Sequence, residues 1–213
     1  MIRLAVNGAC GRMGSRILDL AATAHEDFKI TAAFEHDRHE AIGRFLGKIK
    51  ISKLTAATLK GSQVLIDFSA PEGTRSALQS ALVAKVGMVI GTTGVDNVLE
   101  KAIREASKKI PIVFSPNMSI GANFLFELSR LAASQLKEWY DIEIIEQHHR
   151  LKKDAPSGTA KRIAEVIAKE KGWDLNQVAK YGRQGNTGQR PKNEIGIHVV
   201  RAGDIVGEHT VIF

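Results

Sequence analysis

A glycine-rich turn near the start of the chain constrains the fold more than any other feature. Residues 2–6 form an apolar run typical of a strand, and residues 13–24 show the apolar spacing of a helix. Between them lie Gly8, Gly11 and Gly14. Glycines at such a turn let the backbone approach a pyrophosphate at the helix N-terminus. The spacing G-x-x-G-x-x-G departs from the usual G-x-G-x-x-G, so the motif needs support from its context.

Glu35 supplies that support. It ends a second strand-like run, residues 29–35, about 20 residues after the glycine turn, where a carboxylate would meet the adenosine ribose. The sequence therefore predicts a nucleotide site, the alternative being a loop shaped only by packing. A carboxylate here favours NADH because it repels the 2′-phosphate of NADPH. Three basic side chains could partly offset that repulsion and leave NADPH use open: Arg12, His36 and Arg38.

Strand-like and helix-like segments alternate through the first half of the chain. Further strands are predicted at 64–68, 88–90 and 110–114, with helices at 74–85 and 99–108. Such alternation is typical of an α/β fold built on a parallel sheet. We expect a Rossmann-type dinucleotide-binding domain over residues 1–119.

The second half, residues 120–213, is predicted to be an α+β domain. Its expected helices are 122–139 and 160–169, and its expected strands are 141–146, 194–201 and 206–213. The apolar side of the first helix is predicted to hold Phe124, Leu125, Leu128, Leu131, Ala132 and Leu136; that of the second, Ala160, Ile163, Ala164, Ile167 and Ala168. Because Phe213 falls inside an apolar strand-like run, we expect a further C-terminal segment to be missing.

The densest group of chemically active side chains follows the strand at 141–146. His148 and His149 are adjacent, Lys152 follows, and Asp154 precedes the Pro-Ser-Gly-Thr turn at 156–159. Histidine and lysine can donate protons, and backbone N–H groups at a helix start can bind a carboxylate. The alternative is a solvated basic loop with a helix cap. No third metal ligand stands at a recognisable spacing, so no metal is expected.

Composition excludes several classes of protein. The 30 Lys and Arg residues exceed the 23 Asp and Glu residues, giving a net charge of +7, which suits anionic ligands or nucleic acid. The basic residues are scattered without interleaved aromatics, so nucleic acid is not expected. The single cysteine, Cys10, rules out an intrachain disulfide. Without a membrane-length apolar run or a secretory signal, we expect a cytoplasmic protein with no membrane partner.

These features together resemble the 4-hydroxy-tetrahydrodipicolinate reductase family, also called dihydrodipicolinate reductase, of lysine biosynthesis. The resemblance spans residues 2–213. Its anchors are the runs GACGRMG at 8–14, IDFSAPEGT at 66–74, GTTG at 91–94, EIIEQHHR at 143–150 with Lys152, DAPSGTA at 154–160, and RAGDIVGEHT at 201–210. The block from 143 to 160 is the most specific of these.

The resemblance implies an NAD(P)H-dependent reductase and assigns roles to particular residues. The pyrophosphate would be held by Gly8, Ala9, Cys10, Gly11, Arg12 and Met13, and the ribose by Glu35. The nicotinamide side would be lined by Gly91, Thr92, Thr93, Ser115, Pro116, Asn117 and Met118. His148 and Lys152 correspond to the proton donors, and His149, Gly158 and Thr159 to the contacts of a dicarboxylate substrate. Which of His148 and Lys152 delivers the proton is left open.

The resemblance further implies a homotetramer built by the second domain. Family members continue past Phe213, and many have arginine at position 36, where this chain has histidine. Two alternatives stay open: a truncated or inactive nucleotide-binding form, and another two-domain amino-acid reductase. An aspartate-semialdehyde dehydrogenase would need a nucleophilic cysteine in its second half, which is absent. Homoserine and aspartate dehydrogenases would leave the 148–159 block unexplained.

Overall fold

The computed structural model describes residues 1–136 and 139–213. The chain divides into two compact units, Met1–Pro116 and Asn117–Phe213, close to the expected boundary after residue 119. Each unit has its own sheet and its own apolar core. Among the described residues, no helix has both the length and the apolar character needed to cross a membrane.

The first unit is built on a seven-stranded sheet in the order β3-β4-β2-β1-β5-β6-β7. Its strands are β1 (Ile2–Asn7), β2 (Phe28–Glu35), β3 (Phe45–Leu46), β4 (Ile49–Lys53), β5 (Val64–Asp67), β6 (Gly87–Ile90) and β7 (Ile112–Phe114). All neighbours pair in parallel except β3 and β4. The helices are α1 (Arg12–Thr23), α2 (Ala56–Leu59), α3 (Pro71–Ala84) and α4 (Asn97–Ala106). The predicted α/β class is confirmed.

The strand order places the expected nucleotide site at a break in the topology. From β1 the chain continues to β2 on one side, and β5 then pairs with β1 on the other side. Ligands of open α/β sheets bind beyond the carboxyl ends of the strands at such a switch point. Here that point lies between the ends of β1 and β5, beside the glycine turn.

The second unit carries a four-stranded sheet in the order β11-β8-β10-β9. Its strands are β8 (Ile142–His148), β9 (Ala179–Tyr181), β10 (Ile195–Arg201) and β11 (Glu208–Ile212), and its helices are α5 (Ile120–Gln135), α6 (Gly158–Lys171) and α7 (Leu175–Val178). The central strands β8 and β10 are parallel, and β11 runs antiparallel to β8. The predicted apolar stripe of α6 is confirmed, since all five of its members are buried.

The predicted apolar face of α5 is wrong for most of its members, although Leu125 packs against the core. The residues of α5 that are buried are Phe126, Ser129 and Ala133, whereas Phe124 and Leu128 are exposed. Apolar residues occupy several sides of this helix, so their spacing does not determine which side packs against α6. The helix ends at Gln135 rather than at 139, and residues 137–138 of the predicted helix lie outside the described residues.

Candidate active site

The glycine turn joins β1 to α1, as the sequence predicts. The backbone N–H groups of Gly8 and Ala9 both donate to the carbonyl of Phe34 at 3.0 Å, which ties the turn to the end of β2. The next hydrogen bond runs from the N–H of Gly11 to the carbonyl of Gly8, also at 3.0 Å. The turn is thus folded tightly against β2 where α1 begins.

Glu35 meets this turn directly. One of its carboxylate oxygens accepts a hydrogen bond from the backbone N–H of Cys10 at 2.7 Å, and the other lies 3.3 Å from the N–H of His36. These residues line a cleft of about 800 Å³, together with Lys53, Ser69 and others. The cleft has the size, the glycine-lined floor and the acid at one side that an adenine dinucleotide needs.

The same corner brings together three side chains with metal-ligand chemistry. Ligand atoms of Cys10, Glu35 and His39 all lie within 4.8 Å of one another. Hydrogen bonds within the protein already account for the positions of two of these side chains. Glu35 accepts a hydrogen bond from the backbone N–H of Cys10, and Nδ1 of His39 accepts one from the N–H of Ala41 at 3.1 Å. Burial and the nearby Glu35 carboxylate raise the pKa of the Cys10 thiol, which disfavours the thiolate that metals bind.

Asp67 is a buried polar centre that the sequence reasoning did not single out. Its side chain is fully buried at the end of β5, and its oxygens accept hydrogen bonds from Asn7 at 2.8 Å, Ser69 at 2.6 Å and Thr74 at 2.5 Å. Thr92, an expected nicotinamide contact, lies 3.4 Å away. The carboxylate thus connects the end of β1 with the loops that follow β5 and β6 and with the first turn of α3.

We expect Asp67→Ala to lower the free energy of unfolding by about 3 kcal/mol, since it leaves several buried donors without an acceptor. Urea denaturation followed by circular dichroism measures this. The matched control is Asp96→Ala, which removes an exposed N-cap of α4 and should cost about 1 kcal/mol. Equal losses in the two variants would show that Asp67 is not a structural centre.

The remaining residues expected at the nicotinamide follow the ends of neighbouring strands. Gly91, Thr92 and Thr93 come directly after β6, and the hydroxyl of Thr92 accepts a hydrogen bond from the backbone N–H of Ser69 at 3.2 Å. Ser115 and Pro116 follow β7. These residues therefore lie beyond the carboxyl ends of adjacent parallel strands, the usual ligand edge of such a sheet.

In the second unit, His148 is the last residue of β8 and lies beside a buried carboxylate. Residues two apart on a strand share a face, so Glu146 and His148 point the same way. The Nδ1 atom of His148 is 2.5 Å from a carboxylate oxygen of Glu146, with exposed fractions of 12% and 0% for the two side chains. Sequence reasoning missed Glu146 as a site residue, although this alternation could have revealed it.

Three further donors hold Glu146. Arg201, at the end of β10, reaches both carboxylate oxygens at 2.8 Å, and the backbone N–H of Ser157 donates at 2.8 Å. Burial alone would raise the pKa of Glu146, but these hydrogen bonds and that of His148 outweigh it and lower the pKa to about 2. Glu146 is therefore an anion at neutral pH. We call Glu146, His148, Ser157 and Arg201 the Glu146 cluster.

His209, from β11, is a second residue that the sequence reasoning missed. Its ring lies edge-on to that of His148, with centroids 5.1 Å apart, and its Nε2 is 2.9 Å from the hydroxyl of Ser157. Burial, followed by the proximity of His148 and Lys152, lowers the pKa of His209. His209 is thus neutral at neutral pH and adds no charge beside His148.

The other expected site residues of the second unit lie around the start of α6. Ser157 caps this helix, and Gly158 and Thr159 open it. The hydroxyl of Thr159 accepts a hydrogen bond from the side chain of Asn117 at 3.0 Å, which brings together two residues with different expected roles. Met118, which follows Asn117, is exposed. The N–H groups of this helix start are suited to an anion.

Lys152 and His149 lie in the loop between β8 and α6. Lys152 Nζ donates to Asp154 at 2.7 Å, and Lys152 is 21% exposed. Burial would raise the pKa of Asp154, but the hydrogen bond from Lys152 outweighs it and lowers the pKa. The Nδ1 atom of His149 is buried without a hydrogen-bond partner among the described residues. The ammonium group of Lys152 is thus available to a dicarboxylate, whereas Nδ1 of His149 is closed to solvent in this structure.

Comparison with known proteins places this architecture in one family. The family model described as dihydrodipicolinate reductase, N-terminus, matches residues 2–118, and the model of the C-terminus matches residues 121–213. The 4-hydroxy-tetrahydrodipicolinate reductase of Neisseria gonorrhoeae is 48% identical over 100% of this chain and 81% of its own length. That of Nitrosomonas europaea is 46% identical with the same coverage.

Solved structures show similarity to the same family. A dipicolinate-bound dihydrodipicolinate reductase from Paenisporosarcina superposes with a TM-score of 0.74 and 25% identity, covering 100% of this chain and 83% of that one. An aspartate dehydrogenase from Thermotoga maritima gives a TM-score of 0.51 at 12% identity, covering 99% and 83%, which shows a shared fold alone. Because both halves match in the same order and the identity extends over the whole chain, the protein belongs to the dihydrodipicolinate reductase family.

Proposed function

We propose that this chain catalyses the NAD(P)H-dependent reduction of 4-hydroxy-tetrahydrodipicolinate to tetrahydrodipicolinate, a step of lysine biosynthesis by the diaminopimelate route. The observation that carries the proposal is the pairing of His148 with the buried Glu146 anion, near Lys152 and the open start of α6. This arrangement offers a proton and an anion site together, as reduction of a cyclic dicarboxylate requires.

The first unit fits the cofactor. The turn from Gly8 to Met13 and the start of α1 present backbone N–H groups and the positive end of the helix dipole to a pyrophosphate. Glu35 is placed to accept from a ribose hydroxyl. Asp37 adds a second carboxylate to the cleft, and its hydrogen bond with Lys53 lowers its pKa. Lys53 offsets the charge of Asp37, so the preference for NADH over NADPH rests on Glu35, which would repel a 2′-phosphate.

The chemistry requires one hydride and one proton after loss of water. Loss of the hydroxyl as water leaves a conjugated cyclic imine. The reduced nicotinamide, when bound, supplies the hydride. Hydride addition to the ring builds electron density at the far end of the conjugated system, where a proton from His148 or Lys152 completes the reduction. Gly158, Thr159 and Lys152 bind the substrate carboxylates, and His149 contributes a further contact.

A coupled assay tests the function. The synthase makes the cyclic substrate in situ from pyruvate and aspartate semialdehyde, and loss of NADH or NADPH absorbance is followed. Turnover that depends on both the synthase and this protein supports the proposal. Binding of NADH without turnover would instead favour the inactive nucleotide-binding form, and turnover of aspartate or homoserine would favour another amino-acid reductase.

Glu35→Ala should weaken NADH binding more than NADPH binding, because the lost carboxylate both accepts from the ribose and repels the 2′-phosphate. We expect the dissociation constant for NADH to rise about tenfold, the value of a hydrogen bond to a charged group. Titration with each nucleotide measures it. Glu100→Ala serves as control, since Glu100 forms an exposed ion pair with Arg104 on α4. An unchanged preference would remove Glu35 from the ribose site.

We also propose that the protein is a cytoplasmic homotetramer assembled through the second unit. Helix α6 packs against β8 and β10 on one face of the sheet. The opposite face carries Ile145, Val200 and Ile212, of which the last two are exposed. Exposed apolar residues on an open sheet face support association between copies. Light scattering after size-exclusion chromatography, showing four chains per particle, would support the proposal, and a monomer would oppose it.

A further inference from the structure

The Glu146 cluster carries an inference that rests on the proposed proton-donor role of His148. We propose that Glu146 is the positioning residue of the reaction: its carboxylate holds the Nδ1–H of His148, so that Nε2 is the nitrogen that exchanges the proton with the substrate. Neither the motif resemblance nor the sequence pattern assigns a role to Glu146 or selects one of the two ring nitrogens.

The first step of the argument is that Glu146 can only accept hydrogen bonds. It is fully buried, and each of its oxygens receives two donors. One oxygen meets Nδ1 of His148 and one nitrogen of Arg201; the other meets the N–H of Ser157 and the second nitrogen of Arg201. A carboxylate with four donors, two of them from a guanidinium, is stable only as an anion. The partner atom of His148 must therefore be the one that carries a hydrogen.

The second step concerns the ring itself. With Nδ1–H fixed on Glu146, the neutral imidazole has its lone pair at Nε2 and the imidazolium has its exchangeable proton there. A Cβ atom built on Gly207 would lie 3.0 Å from Nε2 and 3.1 Å from Cδ2 of His148. Gly207, with φ of +153°, thus leaves the Nε2 edge of the ring free of a neighbouring side chain. The backbone of Gly207 therefore approaches the Nε2 edge closely without placing a side chain there, and a bulkier residue at this position would crowd the ring.

The third step concerns the charges around the ring. Arg201 and Lys152 are the cations near His148, Glu146 is the anion in contact with it, and neutral His209 packs edge-on. Arg201 is held by both Glu146 oxygens and by the carbonyl of Asp154 at 2.6 Å. The only group that bonds directly to the His148 ring among the described residues is therefore Glu146, which fixes both its orientation and its tautomer.

Glu146→Gln should disrupt this arrangement whichever way the amide turns. An amide has one acceptor oxygen and one donor NH₂, whereas donors face both positions in the parent protein. If the NH₂ faces His148, Nδ1 must become the acceptor and the proton moves to Nε2. If it faces Ser157, the buried N–H of Ser157 loses its acceptor. We expect kcat to fall roughly 10- to 100-fold, as for a misplaced catalytic group, with nucleotide affinity within about threefold.

A matched control lies three residues earlier on the same strand. Glu143 also accepts from two arginines, Arg183 and Arg190, and from a histidine, His198, at 2.7 Å. Burial would raise the pKa of Glu143, but these donors lower it to about 2, as for Glu146. Glu143→Gln therefore makes the same chemical change in the same kind of pair without touching His148. We expect its kcat to stay within about threefold of the parent value.

The first experiment measures kcat, the KM for substrate and the Kd for NADH of the parent protein, Glu146→Gln and Glu143→Gln. The second records long-range ¹H–¹⁵N NMR spectra of histidine-labelled parent protein at a pH above the histidine titration range. The proposal predicts that the ring proton of His148 lies on Nδ1. The NMR signals of His148 are identified as those that disappear in His148→Gln. The proposal is overturned by a proton on Nε2 in the parent, by a kcat of Glu146→Gln within about threefold of the parent, or by equal losses in the two glutamate variants.

The NMR result does not depend on turnover or on either glutamate variant folding. If the parent shows no activity, the proposed function fails on its own while the position of the proton still decides whether Glu146 holds Nδ1. If Glu146→Gln does not fold, Glu146→Asp keeps the anion with a shorter reach. That variant should retain the proton on Nδ1 and lose kcat, and a proton shifted to Nε2 there would count against the proposal.

Discussion

Replacing His148 by glutamine should lower kcat about 10³-fold, the usual contribution of a positioned general acid, while the Kd for NADH stays within about threefold. Glutamine keeps much of the size and polarity of the side chain, but its amide acts neither as an acid nor as a base at neutral pH. The residues proposed to hold the pyrophosphate and the ribose belong to the first unit, so we expect the affinity for NADH to change little. Steady-state kinetics and a fluorescence titration with NADH measure the two quantities separately.

The structure provides a close control for this substitution. His198 lies on β10, next to β8, and its Nε2 is 2.7 Å from a carboxylate oxygen of Glu143. His198→Gln therefore breaks a second carboxylate–imidazole pair in the same sheet without affecting the first. We expect it to keep kcat within about threefold of the parent value. Equal losses in the two histidine variants would mean that both act through the stability of the sheet.

The same measurement distinguishes the two candidate proton donors. Lys152→Met removes the ammonium group and its bond to Asp154. If His148 delivers the proton and Lys152 binds a carboxylate, the lysine variant loses mainly in the KM for substrate, and the histidine variant loses mainly in kcat. If His148→Gln kept its turnover while Lys152→Met lost it, the proton donor would be Lys152, and His148 would not be the general acid.

Sequence periodicity was sufficient where an element is long and has one apolar face. The stripe of α6, from Ala160 to Ala168, is buried as predicted because its other sides are polar. It was insufficient for α5, which is apolar on several sides, so that packing against α6 selects the side with Ser129 and Ala133. Elements of two to five residues, such as β3, β4 and α2, are too short for periodicity to detect.

The site residues that the sequence could predict are those whose positions depend on nearby segments of the chain. Glu35 could be predicted because its distance from the glycine turn reflects the length of one strand–helix–strand unit. Arg201 could not be predicted, because its contact with Glu146 depends on the pairing of β10 with β8. The position of His209 beside His148 likewise depends on the antiparallel pairing of β11 with β8. Asp67 is similar, since its partners come from the end of β1, from α3 and from the loop after β6. Single-sequence reasoning contains no information on strand register between distant segments.

The close approach at Gly14 leads to the second large prediction. A Cβ atom built on this residue would lie 2.0 Å from the carbonyl oxygen of Gly8 and 2.9 Å from the Cα atom of Ala9. Both are backbone atoms, so no side-chain rotation can relieve the overlap. The first turn of α1 must move away from the glycine turn if any side chain is added. The backbone N–H groups expected to hold the pyrophosphate belong to these two segments.

Gly14→Ala should therefore raise the Kd for NADH at least about 10²-fold, because a shift of about 1 Å misplaces the donors on both sides of the pyrophosphate. The control is Gly121→Ala near the start of α5, where the new Cβ would come no closer than 3.8 Å to Ser119 Oγ. That change should leave NADH binding unaltered and increase stability by up to about 1 kcal/mol, the helix preference for alanine. Calorimetric titration and thermal unfolding of both variants make the comparison. NADH affinity preserved in Gly14→Ala would show that the turn can open without cost, and that the pyrophosphate is held elsewhere.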